Sequence, residues 1–225
     1  GNNNDFTANN ISVTAGVGND SLFDVPTNGS QSDSGAGGEV SGNYCVWNPL
    51  RSGATFSNGN LDVAVPAAHS PIVGTIGVSS GKWYAEFTAT NVNSAAGAAV
   101  GVAEETISGG LLARTDTWTY YFNGDKYHDG ASASYGSSWT TNDVLGVAVD
   151  MDNGKIWFSK NGTFQASGDP AAGTNAAYTN LSGTTIFWTV GDGDSSNSGT
   201  TFVANFGQRS WEYTAPSGFK AMNTA

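Results

Sequence analysis

Cysteine occurs once and histidine twice in this chain, and both scarcities close off chemistry. Cys45 has no intrachain partner, so no disulfide staples the fold and core packing must carry its stability. A lone thiol of this kind reads as a small buried hydrophobe, with intermolecular pairing or reactivity as the alternatives. His69 and His128 leave little raw material for a histidine-centred triad or a two-histidine metal site. Charge is also sparse, at 12% of residues, about half the usual fraction. Eight lysines and arginines against nineteen acids give a formal net charge of −11. Cations so few and scattered cannot track a phosphate backbone, which excludes nucleic acid as a partner. No apolar run approaches the roughly 20 residues of a membrane span, which excludes insertion by a helix. The N-terminus has neither a basic region nor an apolar core, so no signal peptide is legible. A start at Gly1 rather than at methionine reads as a processed piece or a fragment.

What is abundant is glycine, 31 residues, and aromatics, 12% of the chain. Together with the shortage of charge this is the composition of a turn-rich all-β protein. The most informative stretch is residues 144–162, VLGVAVDMDNGKIWFSKNG. Val147 and Val149 alternate with Gly146, Ala148 and Asp150; Ile156 and Phe158 alternate with Lys155, Trp157 and Ser159. That period of two predicts a hairpin of two-faced strands, with Asn153-Gly154 supplying positive φ at the turn and Lys160-Asn161-Gly162 closing the next corner. Residues 82–90 place Trp83, Ala85 and Phe87 on one face and Tyr84, Glu86 and Thr88 on the other. Residues 98–103, 117–123, 184–191 and 200–206 read similarly. Nothing between the strands can form a crossover helix, so the spacing predicts a two-sheet antiparallel sandwich.

Residues 1–43 differ from the rest. The run 28–42, NGSQSDSGAGGEVSG, has almost nothing apolar to bury and reads as a linker or loop. Residues 6–26 carry spaced apolar anchors and suit an extended strap on a neighbour. The division expected is therefore a polar arm over 1–43, following a missing upstream module, and a β domain over 44–225. No repeat or heptad seam is present.

Candidate chemistry is thin. Asp150, Asp152, Asn153 and Gly154 imitate the opening of a calcium loop, but the position of its bidentate glutamate holds Lys160, and hairpin geometry accounts for the acids. Asp192 and Asp194, in GDGDSSNSG, are weak metal candidates against the reading of a solvated loop. Glu104 and Glu105 would point to opposite faces of a strand and cannot flank one glycosidic bond. No catalytic residue and no cofactor is expected. The aromatics offer more. Trp118, Tyr120 and Phe122 alternate with Thr119 and Tyr121, putting one set in the core and Tyr121 on the other face. Tyr127, His128, Tyr135 and Trp139 follow among Gly, Ser, Asp and Asn. Rings mixed with short polar side chains suit contact with a sugar or peptide, the alternative being that they seal the sandwich edges. Trp118, Tyr121, Tyr127, His128, Tyr135 and Trp139 are the ligand-binding candidates. Trp47, Trp83, Trp157, Phe158, Phe187, Trp188 and Phe206 read as structural, and Arg209 and Trp211 as closing the domain.

The strings GKWYAEF (81–87), VGVAEE (100–105), the 144–162 hairpin and TIFWTVGDGD (185–194 with Thr184 before it) resemble the SPRY domain over roughly residues 44–219. The resemblance implies a concanavalin A-like sandwich of two antiparallel sheets, a jelly roll that binds partners through loops at one end and is not an enzyme. Residues 104–139 depart from the pattern, and 166–179 looks like an expanded loop. The terminal strings NNNDFTANNISVTAGVGNDSLFDVPTN, NYCVWNPL, TFSNGNLDV and NFGQRSWEYTAPSGFKAMNTA resemble structural proteins of tailed bacteriophages, often tail-fibre or adhesin-like. That implies a virion appendage or surface part, contacting other virion proteins and a host-surface glycan or protein, as a homo-oligomer with a trimer among the options. The alternatives are a purely structural decoration or assembly protein and, less favoured, a glycan-degrading enzyme.

Overall fold

Two antiparallel sheets pack face to face. In this computed structural model residues 43–50, 53–66, 71–104, 110–112, 114–181, 183–193 and 199–224 are described. Strands are numbered in chain order. The seven-stranded sheet runs β1 (Thr55–Ser57), β2 (Asp62–Ala64), β13 (Thr201–Asn205), β4 (Lys82–Asn91), β9 (Val144–Asp150), β10 (Lys155–Lys160) and β11 (Thr163–Phe164). The six-stranded sheet runs β3 (Ile72–Val78), β12 (Ile186–Gly191), β5 (Ala99–Glu104), β6 (Thr117–Tyr121), β7 (Asp125–His128) and β8 (Ala131–Ser134). Within the described residues the only helical element is one 3-10 turn, Gln165–Ser167. The expected arm over 1–43 lies outside the described residues except for Asn43.

The period-two reading holds in the central strands, where β4, β9 and β10 are covered by apolar residues on both faces. Ala85, Phe87, Val147, Val149, Ile156 and Phe158 face inward from one sheet, against Val100, Val102, Trp118, Tyr120, Ile186 and Trp188 from the other, all in one buried cluster. Phe87 sits at its centre, with its ring 5.5 Å from Trp47, 5.8 Å from Phe206 and 6.2 Å from Trp188. On the outer side of the seven-stranded sheet Tyr84, Ala148 and Trp157 form a second layer with Ala215 and Phe219, and Trp211 packs against it. The outer face of the six-stranded sheet buries Val73, Ala99 and Ala103 under Leu111. Gly101 lets β5 and β6 approach here, since a Cβ at this position would strike the Trp118 carbonyl and the Thr119 backbone.

The two ends of the described chain hold the sheets together. Cys45 N–H donates to the Met222 carbonyl at 3.2 Å, and Asn43 and Thr224 bond each other. Residues 46–48 then run beside β3, with Thr75 N–H on Val46 O and Asn48 N–H on Val73 O, both 2.8 Å. Cys45 is fully buried and its thiol is pushed up to about 11 by desolvation, so it behaves as the small hydrophobe expected.

The hairpin differs from expectation in its turn. Asp150 and Lys155 are the last pair, leaving residues 151–154 as a four-residue loop in which Gly154 has φ 63° and Asn153 is not left-handed. The acids serve this corner. Asp150 accepts the backbone and side-chain N–H groups of Asn153 at 3.1 and 2.9 Å and lies 3.3 Å from Lys82 Nζ, while Asp152 accepts Gly81 N–H at 2.8 Å. Burial opposes ionisation of Asp150, but the Asn153 and Lys82 contacts outweigh it and hold the carboxyl below its ordinary value. A depressed carboxyl stabilises the fold above the unfolded value of about 3.9 and loses that contribution as pH falls through the folded value. Asp150→Asn is therefore expected to cost about 1–2 kcal/mol at pH 7, by urea denaturation, and progressively less as pH is lowered below about 4. A gap that stays constant with pH would contradict this.

Candidate functional site

The six aromatic and histidine candidates do not converge. β7 pairs Tyr127 with Thr119 and Lys126 with Tyr120, so successive residues fall on opposite sides of the sheet. Tyr121 and Tyr127 meet on the outer face with ring centres 5.3 Å apart, and Tyr121 also abuts Phe122 at 4.7 Å. Trp118, His128, Tyr135 and Trp139 lie on the inner side. Trp118 and Trp139 are only 3% and 2% exposed, so both rings are covered by the core. Trp139 plugs one end of the core between Tyr120 and Phe202, each 6.3 Å away. Tyr135 packs edge-on against Tyr120 and Phe158 and accepts Phe158 N–H at 3.3 Å; burial pushes its phenol up to about 12.

Trp118 and His128 stack at 4.7 Å and share a polar clasp with the segment that follows β10. Trp118 Nε1–H donates to Asn180 Oδ1 at 2.9 Å, which turns the Asn180 amide toward His128 Nε2 at 3.0 Å. His128 Nδ1 lies 2.8 Å from the Thr117 carbonyl. A carbonyl only accepts, so Nδ1 carries the proton and Nε2 receives the amide. Tyr178 adds its ring edge at 5.6 Å, and Lys126 Nζ sits 4.7 Å from the Tyr178 ring centre while donating to Ala177 O at 2.6 Å. His128 is thereby used in structure. The stretch 166–179, expected as an expanded loop, is the lid of this side of the sandwich: Trp157 Nε1–H and Lys155 Nζ also bind its carbonyls, at Thr174 and Gly173.

At the β10–β11 edge an open cleft of about 640 Å³ remains. Ser137, Lys160, Asn161 and residues 163–167 line it. Its floor is set by Gln165, whose Oε1 accepts Ser137 N–H at 2.9 Å and whose Nε2 donates to Thr163 O at 2.7 Å. Lys160 is held at its rim by Asp143 at 3.1 Å and by Ser138 O at 2.8 Å. Ala166 and Ser167 are both left-handed, with φ 52° and 55°, a conformation that costs non-glycine residues about 1–2 kcal/mol each. Strain of this kind concentrates at functional loops. The cleft size falls in the ordinary range for binding sites, and its exposed lining is short and polar. Sequence marks Lys160-Asn161-Gly162 only as a corner and Ala166 and Ser167 only as the start of the 166–179 loop; nothing in it points to Ser137 or Gln165.

Asp192, one of the two weak metal candidates, is buried at the exit of β12, while Asp194 lies outside the described residues, as do Glu105 and His69. No cluster of three or more metal-ligating side chains occurs among the described residues.

Residues 82–209, more than half of the chain, match the family model of the SPRY domain. The chain belongs to the SPRY domain family. The SPRY domain of human HERC1 superposes with a TM-score of 0.58 at 22% identity, over 70% of this chain and 96% of that one, a likeness of fold. SPRY domains are protein–protein interaction modules and are generally non-catalytic. Neither match concerns a virion or a sugar.

Proposed function

We propose that this SPRY domain is a non-enzymatic module that grips a protein partner on the open side of its sandwich, in the cleft lined by residues 163–167. The observation that carries this reading is the coincidence, on one side of the molecule, of an open cleft with two consecutive left-handed non-glycine residues. A protein partner is preferred to a glycan because Trp118 and Trp139, two of the flat rings that a sugar site would use, are in the core. The setting proposed is a bacteriophage appendage, where the partner is a host-surface protein; this rests on the terminal strings, not on the sandwich.

Fluorescently labelled protein should bind cells of the host that adsorbs the particle and compete with adsorption. Binding is expected to fall about tenfold or more after protease shaving of the cells, as when an interface loses its main contact residues, and to survive periodate oxidation of their glycans. The reverse pattern would assign a glycan. Absence of binding together with a fully enclosed position in particle density would favour the purely structural role.

A further inference from the structure

The six-stranded sheet ends in an edge that nothing in the described residues covers. Its other edge, β3, is capped by residues 46–48. β11 contributes two residues to the edge of the seven-stranded sheet and β1 three. β8 contributes four, Ala131–Ser134, all exposed. It follows β7 through a two-residue turn, Asp129-Gly130, with φ 54° and 69°, the left-handed pair of a tight hairpin. In such a hairpin the flanking pair, here His128 and Ala131, exchanges both main-chain bonds, and bonded and non-bonded pairs then alternate. With the register His128↔Ala131, Tyr127↔Ser132, Lys126↔Ala133 and Asp125↔Ser134, Ala131 and Ala133 bond inward to β7. Tyr135 N–H on Gly124 O at 3.2 Å continues the alternation. Ser132 and Ser134 therefore turn their N–H and C=O groups away from the sheet, and no hydrogen bond to these groups forms among the described residues.

We infer that the β8 edge accepts an extended segment of a partner protein as an added strand, with lysine or arginine flanking an uncharged, β-prone stretch. This deepens the reading of the chain as a protein-binding module and rests on it. Main-chain pairing supplies affinity in strand addition. β8 also lacks the lysine, proline or bulge with which natural edges are commonly blunted. The sign of the partner follows from local charge. Asp125 stands opposite Ser134 and Asp129 lies in the turn. The nearby cations are engaged, Lys126 with Ala177 O and the Tyr178 ring, Arg114 with Asp116 at 2.5 Å. A second copy of a chain with net charge −11 would meet like charge on the same edge.

Ser132→Pro tests the edge. Proline is compatible with an edge strand whose N–H faces solvent, so this variant should melt like the wild type, whereas Ala133→Pro deletes a donor to β7 and should melt lower. A random peptide library selected on the wild-type protein should yield segments with basic flanks. Their affinity, by fluorescence polarisation, should fall about tenfold or more in Ser132→Pro and stay unchanged in Ser132→Ala, because the main chain makes the contact. Should Ser132→Pro fail to fold, hydrogen exchange on the wild type decides, with protection of the Ser132 and Ser134 amides expected on adding a selected peptide. Selected peptides that ignore Ser132→Pro and leave those amides unprotected would overturn the inference while leaving the module reading in place. No selectable peptide at all would count against both. Concentration-dependent dimerisation abolished by Ser132→Pro would give the edge to a second copy and overturn the basic partner.

Discussion

Replacing Glu86 by alanine is expected to destabilise the protein by about 3 kcal/mol and to free its C-terminal stretch. Glu86 is 3% exposed on the outer face of β4. Its Oε2 accepts Glu212 N–H at 2.8 Å, and its Oε1 accepts Tyr213 N–H at 2.9 Å and Tyr84 O–H at 3.2 Å. These bonds clasp residues 205–222 across the sheet, where Trp211 stands edge-on to Tyr84 at 5.0 Å and Phe219 to Trp157 at 6.2 Å. Further along, Tyr84 N–H donates to Lys220 O at 2.9 Å and Lys220 N–H to Lys82 O at 3.1 Å, so the tail takes the place of β13 beside the first residues of β4. Removing the carboxylate leaves two main-chain donors and a phenol without their acceptor. Proteolysis within residues 206–224 should accelerate in Glu86→Ala, with the rest of the sandwich resistant.

The same residue makes a pH prediction opposite in sign to that for Asp150. Burial raises the Glu86 carboxyl above its ordinary value, against the lowering effect of the Glu212 and Tyr213 amides and the Tyr84 hydroxyl. A carboxyl with a raised folded value contributes stability that is fully present below the unfolded value of about 4.3 and is lost as pH rises through the folded one. The stability gap between wild type and Glu86→Ala should therefore narrow as pH rises, while that for Asp150→Asn widens. A gap of the same sign of slope for both would contradict the two environments.

Trp139→Ala is expected to cost about 3–5 kcal/mol, the loss for a large buried ring, and so to read as a folding defect before it reads as a binding defect. Trp139→Phe should cost less than about 1.5 kcal/mol, because it keeps most of the packing against Tyr120 and Phe202 and removes an indole N–H that finds no acceptor among the described residues. Paired urea denaturation and host-cell binding measurements separate the roles. A stable Trp139→Ala that no longer binds would restore Trp139 to a ligand site.

Local pattern carried the sandwich further than the site. Strict alternation in residues 82–90 and 144–160 was enough to place Phe87 and Phe158 in the core and Tyr84 and Trp157 on the opposite faces, because each face has its own apolar cover. Alternation also assigned Trp118 inward. It could not place His128 or Tyr127, whose faces depend on the register Thr119↔Tyr127. The signal for that register was present in Asp129-Gly130, the strongest short hairpin dipeptide, within a stretch that departs from the family pattern. Glu86 looked like a residue of a polar face; it is buried by a segment more than a hundred residues later in the chain, and such long-range covering leaves no local trace. The cleft is of the same kind, formed where residues 137, 160 and 163–167 meet.

Photo-crosslinking on host cells addresses the binding side most directly, with the reactive side chain placed at Thr163 in the cleft or at Ser79, an exposed position remote from it at the other end of the sandwich. A protease-sensitive adduct from Thr163 and none from Ser79 is the result expected if the open side grips a protein. Adducts from Ser79 alone would contradict it.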